Sequence, residues 1–295
     1  MGDDSGAARD VVLAVLSGFV AVAAGTLPRN LIFLANLRYA ATIPWAVPVS
    51  AAYLYVFWRY MGGRGLPEST ARWRREALRA NRISGRAWAW SLVAGSLAIV
   101  ALVLALRVAN RMVMLPQQYV ADLSRIPRVT VWALLLMGAP IAGVVEESAF
   151  RGYMQAPIER RWGLPVAILI TGTIFAFVHL DFRPILWPYY VAVSAIYGTV
   201  AYLTNSILPA IALHTCGNLY SNSLLLLYRQ AEWQAAPSRA ALIWRTGADR
   251  SFWEHVAALA AVTAAMAWAY AVLARERTKD AAGNSASGAR TRAYS

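Results

Sequence analysis

The sequence is poor in the residue types that build disulfide frameworks and metal clusters. Its 295 residues include one cysteine and three histidines, and a single cysteine excludes an intrachain disulfide. Charge is scarce as well, because only 15% of the residues are charged and acidic residues number 15 against 28 lysines and arginines. So few charged side chains are not expected of an ordinary soluble domain.

Apolar residues are in excess, at 59% of the chain against roughly 45–50% in soluble domains. They form runs close to the length of about 20 residues that a membrane-spanning helix needs. We therefore predict an all-α fold, a polytopic membrane helix bundle of about eight transmembrane helices. The predicted spans are residues 11–25, 40–60, 88–106, 129–147, 164–179, 186–204, 207–227 and 252–274. The first run is shorter than the length that a membrane-spanning helix needs.

The basic residues predict the orientation of the bundle. The net charge is +13, but the arginines lie between the apolar runs instead of forming one patch, so we predict no nucleic-acid partner. The loop 59–86 carries eight arginines and is expected to face the cytoplasm by the positive-inside rule. With eight spans both termini are then cytoplasmic, and we expect an integral protein of the cell inner membrane.

A short amphipathic helix is one prediction for this loop. Ser69 or Thr70 can cap such a helix, which would reach Asn81 and lie against the lipid headgroups. A solvated loop explains the same arginines equally well.

Two adjacent carboxylates, Glu146 and Glu147, stand at the end of the fourth apolar run, with Arg151 four residues after the second. Ionisable side chains inside a membrane span are costly enough to indicate function. On a helix, Glu147 and Arg151 share a face and can pair, whereas Glu146 points about 100° away. Glu146 is thus predicted to be the carboxylate without a local partner, and the Glu147–Arg151 pair fits a structural role as well as a functional one.

Two of the three histidines also lie in apolar runs. Phe175 and His179 are four residues apart in the fifth run. His214 and Asn218 have the same spacing in the seventh, so each pair shares one face of a helix. A lone histidine in a membrane is often a packing contact between helices. Together with an unpaired carboxylate, these side chains supply a base, two imidazoles and an amide donor, which are the groups that acyl-bond hydrolysis needs.

These three segments resemble the motifs of the CAAX protease and bacteriocin-processing family (CPBP, also called Abi), which includes the Ras-converting CAAX endopeptidases. The patterns Glu-Glu-x-x-x-Arg, Phe-x-x-x-His and His-x-x-x-Asn are all present and in order. They stand here as Glu146-Glu147-Ser148-Ala149-Phe150-Arg151, Phe175-Ala176-Phe177-Val178-His179 and His214-Thr215-Cys216-Gly217-Asn218. Each motif alone is weak, but the ordered trio on separate predicted helices is fairly specific. The resemblance covers about residues 129–227.

The resemblance implies an intramembrane endopeptidase. Glu146, helped by His179, would activate water, and the tetrahedral oxyanion would be stabilised by His214 and Asn218. The supporting residues would be Glu147, Arg151 and Phe175. The implied partners are the lipid bilayer and a membrane-associated protein or peptide substrate, with or without a lipid. We expect no metal and no cofactor.

Three alternatives use the same residues. A zinc protease would take Glu146, His179 and His214 as ligands, although the chain has no His-Glu-x-x-His pair. A non-catalytic membrane immunity or scaffold protein would keep the fold without the reaction. A proton-coupled transporter would also bury Glu and His, but we find no internal repeat to support it.

The predicted organisation follows from these assignments. It comprises a cytoplasmic N-terminus (1–10), transmembrane helices with the basic loop (11–128), a protease-like catalytic core (129–227), a loop with the last transmembrane helix (228–280) and a disordered tail (281–295). The tail is small and polar enough for disorder. For Glu146 and His179 to lie at one level, the fourth helix must continue past Arg151, to about Ala156.

Overall fold

The structure, a computed structural model, describes residues 4–116, 123–180, 182–228 and 242–292. Within these ranges it is helical and has no strand, so the prediction of an all-α fold is confirmed. The α-helices are α1 (Asp4–Tyr39), α2 (Ala46–Met61), α3 (Ala71–Leu78), α4 (Gly85–Met112), α5 (Arg128–Glu146), α6 (Gln155–Val178), α7 (Trp187–Thr204), α8 (Leu208–Tyr228), α9 (Ile243–Thr246) and α10 (Arg250–Arg292). A π-helix (Glu147–Met154) joins α5 to α6, and two 3-10 turns (Glu68–Thr70 and Pro184–Leu186) precede α3 and α7.

Four helical runs of the described chain are long and apolar enough to cross a membrane. They are Ala8–Tyr39, Gly85–Met112, Arg128–Val178 and Arg250–Arg277. The protein is therefore an integral membrane protein, but the predicted count of about eight spans is not confirmed. One reason is length, since α2 has only 16 residues and a straight span needs about 20. Another is that the predicted fourth and fifth spans are joined by helix up to Gly163, where the helical geometry breaks.

The first helix is longer than the sequence predicts. Helix α1 has 36 residues and passes through Pro28, where the first apolar run was expected to have ended. Two glycines hold this helix close to the centre of the bundle, because Gly18 packs against Met154 and Gly25 against Val145. A side chain at either glycine would collide with these partners. The close packing keeps α1 alongside α5 and the π-helix over several turns.

The loop 59–86 contains the predicted short helix, α3, whose residues Arg74 and Leu78 are buried in the protein. It ends at Leu78, before the predicted end, because Arg79 adopts a left-handed backbone conformation (φ 56°). Thr70 occupies the N-cap position without a capping hydrogen bond from its side chain. Arg74 is only 2% exposed and donates hydrogen bonds to the backbone carbonyls of Tyr60, near the end of α2, and of Gly65. A buried arginine therefore fixes this helix to the rest of the chain.

The fourth predicted span continues well past Arg151, as the levels of Glu146 and His179 require. The chain runs from α5 through the π-helix into α6 and leaves helical geometry only at Gly163 (φ 80°, ψ 168°). All eight residues of the π-helix are buried, and its apolar residues belong to the main hydrophobic core together with side chains of α1 and α6. Glu146 therefore lies in the middle of a long helical run, not at its end.

An exposed ion pair joins α4 to the start of α10. Arg111 lies 3.2 and 3.0 Å from the two carboxylate oxygens of Asp249, which also accepts a hydrogen bond from the backbone N–H of Phe252 at 2.9 Å. These hydrogen bonds hold the pKa of the Asp249 carboxyl below its usual value, and the bond from Arg111 has the larger effect. Asp249 thereby caps the first turn of the last membrane-spanning run.

Helix α10 also extends into the segment for which we predicted disorder. It continues over residues 281–292, beyond the apolar run that ends near residue 274. Alanine, the strongest helix former, recurs in this segment. Residues 293–295 lie outside the described residues.

Candidate active site

Glu146 and Glu147 point in different directions, as their positions on a helix predict. Glu146 is the last residue of α5, and its side chain is 19% exposed towards a cavity. Glu147 begins the π-helix, and its side chain is fully buried. Two neighbouring carboxylates of the same chemistry thus have different surroundings.

The buried carboxylate is held by a cation and by an imidazole. Nη1 of Arg151 donates to Oε1 of Glu147 at 3.0 Å, and the same oxygen accepts from Nδ1 of His214 at 2.7 Å. The Arg151 side chain is fully buried, and its guanidinium lies over the rings of Phe175 and Tyr197 at 5.2 and 5.4 Å. The predicted Glu147–Arg151 pair therefore exists, and it has a third member that the sequence did not indicate.

His214 lies between the two carboxylates. With Nδ1 bonded to Glu147, its Nε2 lies 3.7 Å from Oε2 of Glu146. The Tyr197 ring stacks on the imidazole with centroids 4.8 Å apart and planes 8° from parallel. A hydrogen bond in the plane of the ring and an aromatic face against it together fix the orientation of His214, with Nε2 towards the cavity.

His179 ends α6 and is oriented by the same residue that the motif pairs with it. Its Nδ1 lies 2.8 Å from the carbonyl oxygen of Phe175, which can only accept, so Nδ1 carries the proton in the neutral ring and Nε2 keeps its lone pair. The imidazole also contacts the rings of Phe175 and Tyr190, with centroids 4.4 and 5.0 Å away. The role of Phe175 is thus to place and orient His179, which agrees with its predicted supporting position.

One cavity of about 410 Å³ brings these groups together. Glu146, His179, His214 and Asn218 all line it, whereas Glu147 and Arg151 do not. Most of its other walls are apolar side chains of α4, α5, α7 and α8. The structure therefore brings the four predicted catalytic side chains to one space and leaves the predicted ion pair behind its wall.

The side chains present do not form a metal site in this arrangement. In the described ranges, no group of three His, Cys, Asp or Glu side chains lies close enough to hold a metal ion. Glu146, His179 and His214 share the cavity, but they are not gathered around one point at ligand distances of about 2.0–2.2 Å.

Sequence reasoning missed two residues of the cavity wall. Tyr197, which stacks on His214, had no signal beyond its place in an apolar run. Arg29 lines the same cavity, and its signal was visible: it is an ionisable residue that lies inside a span once α1 is extended to Tyr39. Because the first predicted span ended at residue 25, Arg29 was placed outside it.

The comparison with known families agrees with the geometry. Residues 128–220 match the family model described as Type II CAAX prenyl endopeptidase Rce1-like. The matched part of the chain is thus similar to that family of CAAX prenyl endopeptidases. It begins at the first residue of α5 and includes Glu146, His179, His214 and Asn218, so the family match and the cavity coincide. No curated protein and no solved structure matches the chain.

Three helical segments of the matched part meet at the cavity. The motif residues lie at the junction of α5 with the π-helix, at the end of α6 and in the first half of α8. Arg29, on α1, lies outside the matched residues. Helices outside the matched part therefore also contribute to the cavity wall.

Proposed function

We propose that the protein is an intramembrane endopeptidase in which Glu146 activates a water molecule. The observation that carries the proposal is the contrast between the two neighbouring carboxylates. Oε2 of Glu146 has no hydrogen-bond partner among the described residues, and its side chain lines the cavity. Glu147 is bonded to Arg151 and His214. Glu146 is thus the carboxylate that can accept a proton from a bound water.

The proposed reaction uses the four cavity side chains. Glu146 takes a proton from water, and the resulting hydroxide attacks the carbonyl carbon of the scissile peptide bond. His179 orients that water, because its Nε2 has a free lone pair that accepts a hydrogen bond from it. The protonated Glu146 then gives its proton to the leaving nitrogen as the carbon–nitrogen bond breaks.

In this proposal, side chains of α8 donate hydrogen bonds to the oxyanion of the tetrahedral intermediate. The side-chain amide of Asn218, one turn after His214, can donate to it. His214, when Nε2 is also protonated, is a second donor fixed in place by Glu147 and Tyr197. Removing one such preorganised donor typically lowers kcat by about 10²–10³-fold.

The proposed substrate is a membrane-associated protein or peptide. The cavity has apolar walls around a few polar groups, which suits an apolar peptide segment or a lipid chain attached to it. The matched family is named for prenyl endopeptidases, so a prenylated substrate is included in the proposal.

The test is a comparison of peptides released in cells. Membrane and secreted peptides are compared by mass spectrometry between cells that produce the wild-type protein, Glu146→Gln and Glu254→Gln. Glu254 is exposed and pairs with Arg250 on α10, so its substitution is a matched control outside the cavity. We expect peptides that appear with the wild type and with Glu254→Gln but not with Glu146→Gln. Turnover of an identified substrate by Glu146→Gln close to the wild-type rate would show that the base is wrongly assigned.

A further inference from the structure

Arg29 is a cation in the wall of the cavity that the proposed reaction does not use. It lies on α1, in the apolar run Ala8–Tyr39, and lines the same cavity as Glu146 and His214. A charged side chain inside a membrane span is costly and is retained where it has a partner or a function. Arg29 is therefore expected to bind an anion that enters the cavity.

The packing of α1 fixes the level of Arg29. Gly25 packs directly on Val145, the residue before Glu146. Arg29 is one helical turn further along α1 and lies on the same face as Gly25. Helix α1 runs antiparallel to α5, because Gly18 packs further along the chain, at Met154. Arg29 is thus level with the turn of α5 that precedes Val145, and its side chain lines the cavity together with Glu146.

No described residue neutralises Arg29 at close range. Its Nε is buried and has no hydrogen-bond partner, and its guanidinium lies over the ring of Phe33 at 5.3 Å. Arg151, also in the interior, differs because it is bonded to Glu147 at 3.0 Å. Glu146 acts electrostatically on Arg29 but forms neither a hydrogen bond nor an ion pair with it. Among the described residues, Arg29 is therefore a cation on the cavity wall without a hydrogen-bonded or ion-paired acceptor.

We propose that Arg29 binds a carboxylate of the peptide substrate and so sets the position of the scissile bond relative to Glu146. The inference rests on the proposed function for its substrate class. A guanidinium matches a carboxylate with two parallel hydrogen bonds, and such charge-assisted pairs are roughly twice as strong as neutral ones. Apolar walls exclude water and strengthen the pair further. Arg29 is a positioning residue in this scheme, since it contacts the substrate away from the reacting carbonyl.

A peptide can supply this carboxylate from its C-terminus or from an acidic side chain. Three synthetic probes separate these sources: N-acetyl-Leu-Val-Ile with a free C-terminal carboxylate, the same peptide as its C-terminal amide, and N-acetyl-Leu-Glu-Ile amide. Binding of each is measured by titration calorimetry with the full chain in detergent micelles. The proteins are the wild type, Arg29→Met, Arg29→Lys and Arg38→Met. Arg38 lies on the same helix and does not line the cavity, so it controls for loss of charge.

We expect the wild type and Arg38→Met to bind one of the acidic probes about tenfold more tightly than the neutral amide. Arg29→Met should abolish that difference, and Arg29→Lys should retain part of it because the charge remains but the paired geometry is lost. The acidic probe that shows the difference identifies the source of the carboxylate. Equal binding of all three probes to the wild type, or a preference that survives in Arg29→Met, would overturn the proposal.

The binding experiment can succeed or fail independently of the proposed reaction, because binding of a probe does not require turnover. If no Glu146-dependent peptides are found while the preference for a carboxylate depends on Arg29, the reaction is wrong and the binding role remains. On an identified substrate, Arg29→Met should raise KM with little change in kcat. A purely structural role would instead lower the folded, active fraction and reduce kcat for all substrates alike.

Discussion

Nδ1 of His214 lies 2.7 Å from Oε1 of Glu147, and this bond links the two halves of the candidate site. Glu147 stands 67 positions earlier in the chain, on the π-helix, and His214 is on α8. The bond turns the opposite nitrogen of His214 towards Glu146. The carboxylate that is not in the cavity thus determines how an imidazole in the cavity is presented.

Loss of Arg151 should destabilise the whole bundle. Arg151→Ala leaves Glu147 buried with its main counter-ion removed, which for buried pairs costs about 3–5 kcal/mol. We expect lower accumulation in membranes and a lower midpoint of thermal unfolding in detergent. The double variant Glu147→Gln with Arg151→Met removes both charges and should regain part of the lost stability. An Arg151→Ala protein as stable as the wild type would mean that the pair contributes little.

Gly152 should not tolerate a side chain. A Cβ at this position would lie 2.9 and 3.0 Å from the carbonyl oxygens of Ala77 and Leu78, which are backbone atoms of α3 and cannot rotate away. Gly152→Ala is expected to lower thermal stability by about 1–3 kcal/mol, as overpacking usually does. Gly138→Ala is the control, because nothing lies within 4 Å of a Cβ there. Equal unfolding midpoints of the two variants would contradict the close contact of α3 with the π-helix.

We predict that catalysis needs no metal. Purified active protein should contain far less than one zinc per chain, and dialysis against a strong chelator should leave its activity unchanged. Both imidazoles donate Nδ1 protons to acceptors, an arrangement that zinc-binding histidines also use, so elemental analysis is needed. One tightly bound zinc per chain, with activity lost on its removal and regained on its return, would make Glu146, His179 and His214 ligands.

The orientation in the membrane also remains a prediction. The arginines of the loop 59–86 place that loop and both termini in the cytoplasm by the positive-inside rule. Reporter proteins fused at Arg75 and after Arg277 should give a cytoplasmic signal, and a fusion at Val113 should give an external one. An external signal at Arg75 or after Arg277 would reverse or refute the assignment.

The motif residues could be read from the sequence because each pair lies four positions apart on one helix. Spacing alone separates Glu146 from Glu147 and pairs Phe175 with His179, and the structure has both relationships. The bond between Glu147 and His214 could not be predicted, because it depends on how α8 packs against the π-helix. Arg29 was missed for a related reason, since the packing of Gly18 and Gly25 carries α1 past Pro28, where a local signal favours an end.

The count of about eight spans stays a prediction. Hydropathy predicts separate crossings at residues 129–147 and 164–179, and the run Arg128–Val178 leaves helical geometry at Gly163, between those two segments. For α3, a basic amphipathic pattern predicts a helix on lipid and a helix held by Arg74 equally well. Only contacts distant in sequence, such as those of Arg74, show how α3 is attached to the protein.

The π-helix places an extra residue in the most densely packed part of the chain. Each of its hydrogen-bonded turns contains one residue more than an α-helical turn. Deleting one residue within 148–150 would let that turn close as an ordinary α-helix without rotating α6 away from α5. Glu147 and Arg151 would lose their spacing of four, but His179 would still arrive on its present side of the bundle. The spacing of the ion pair can therefore change without changing how the helices on either side are oriented.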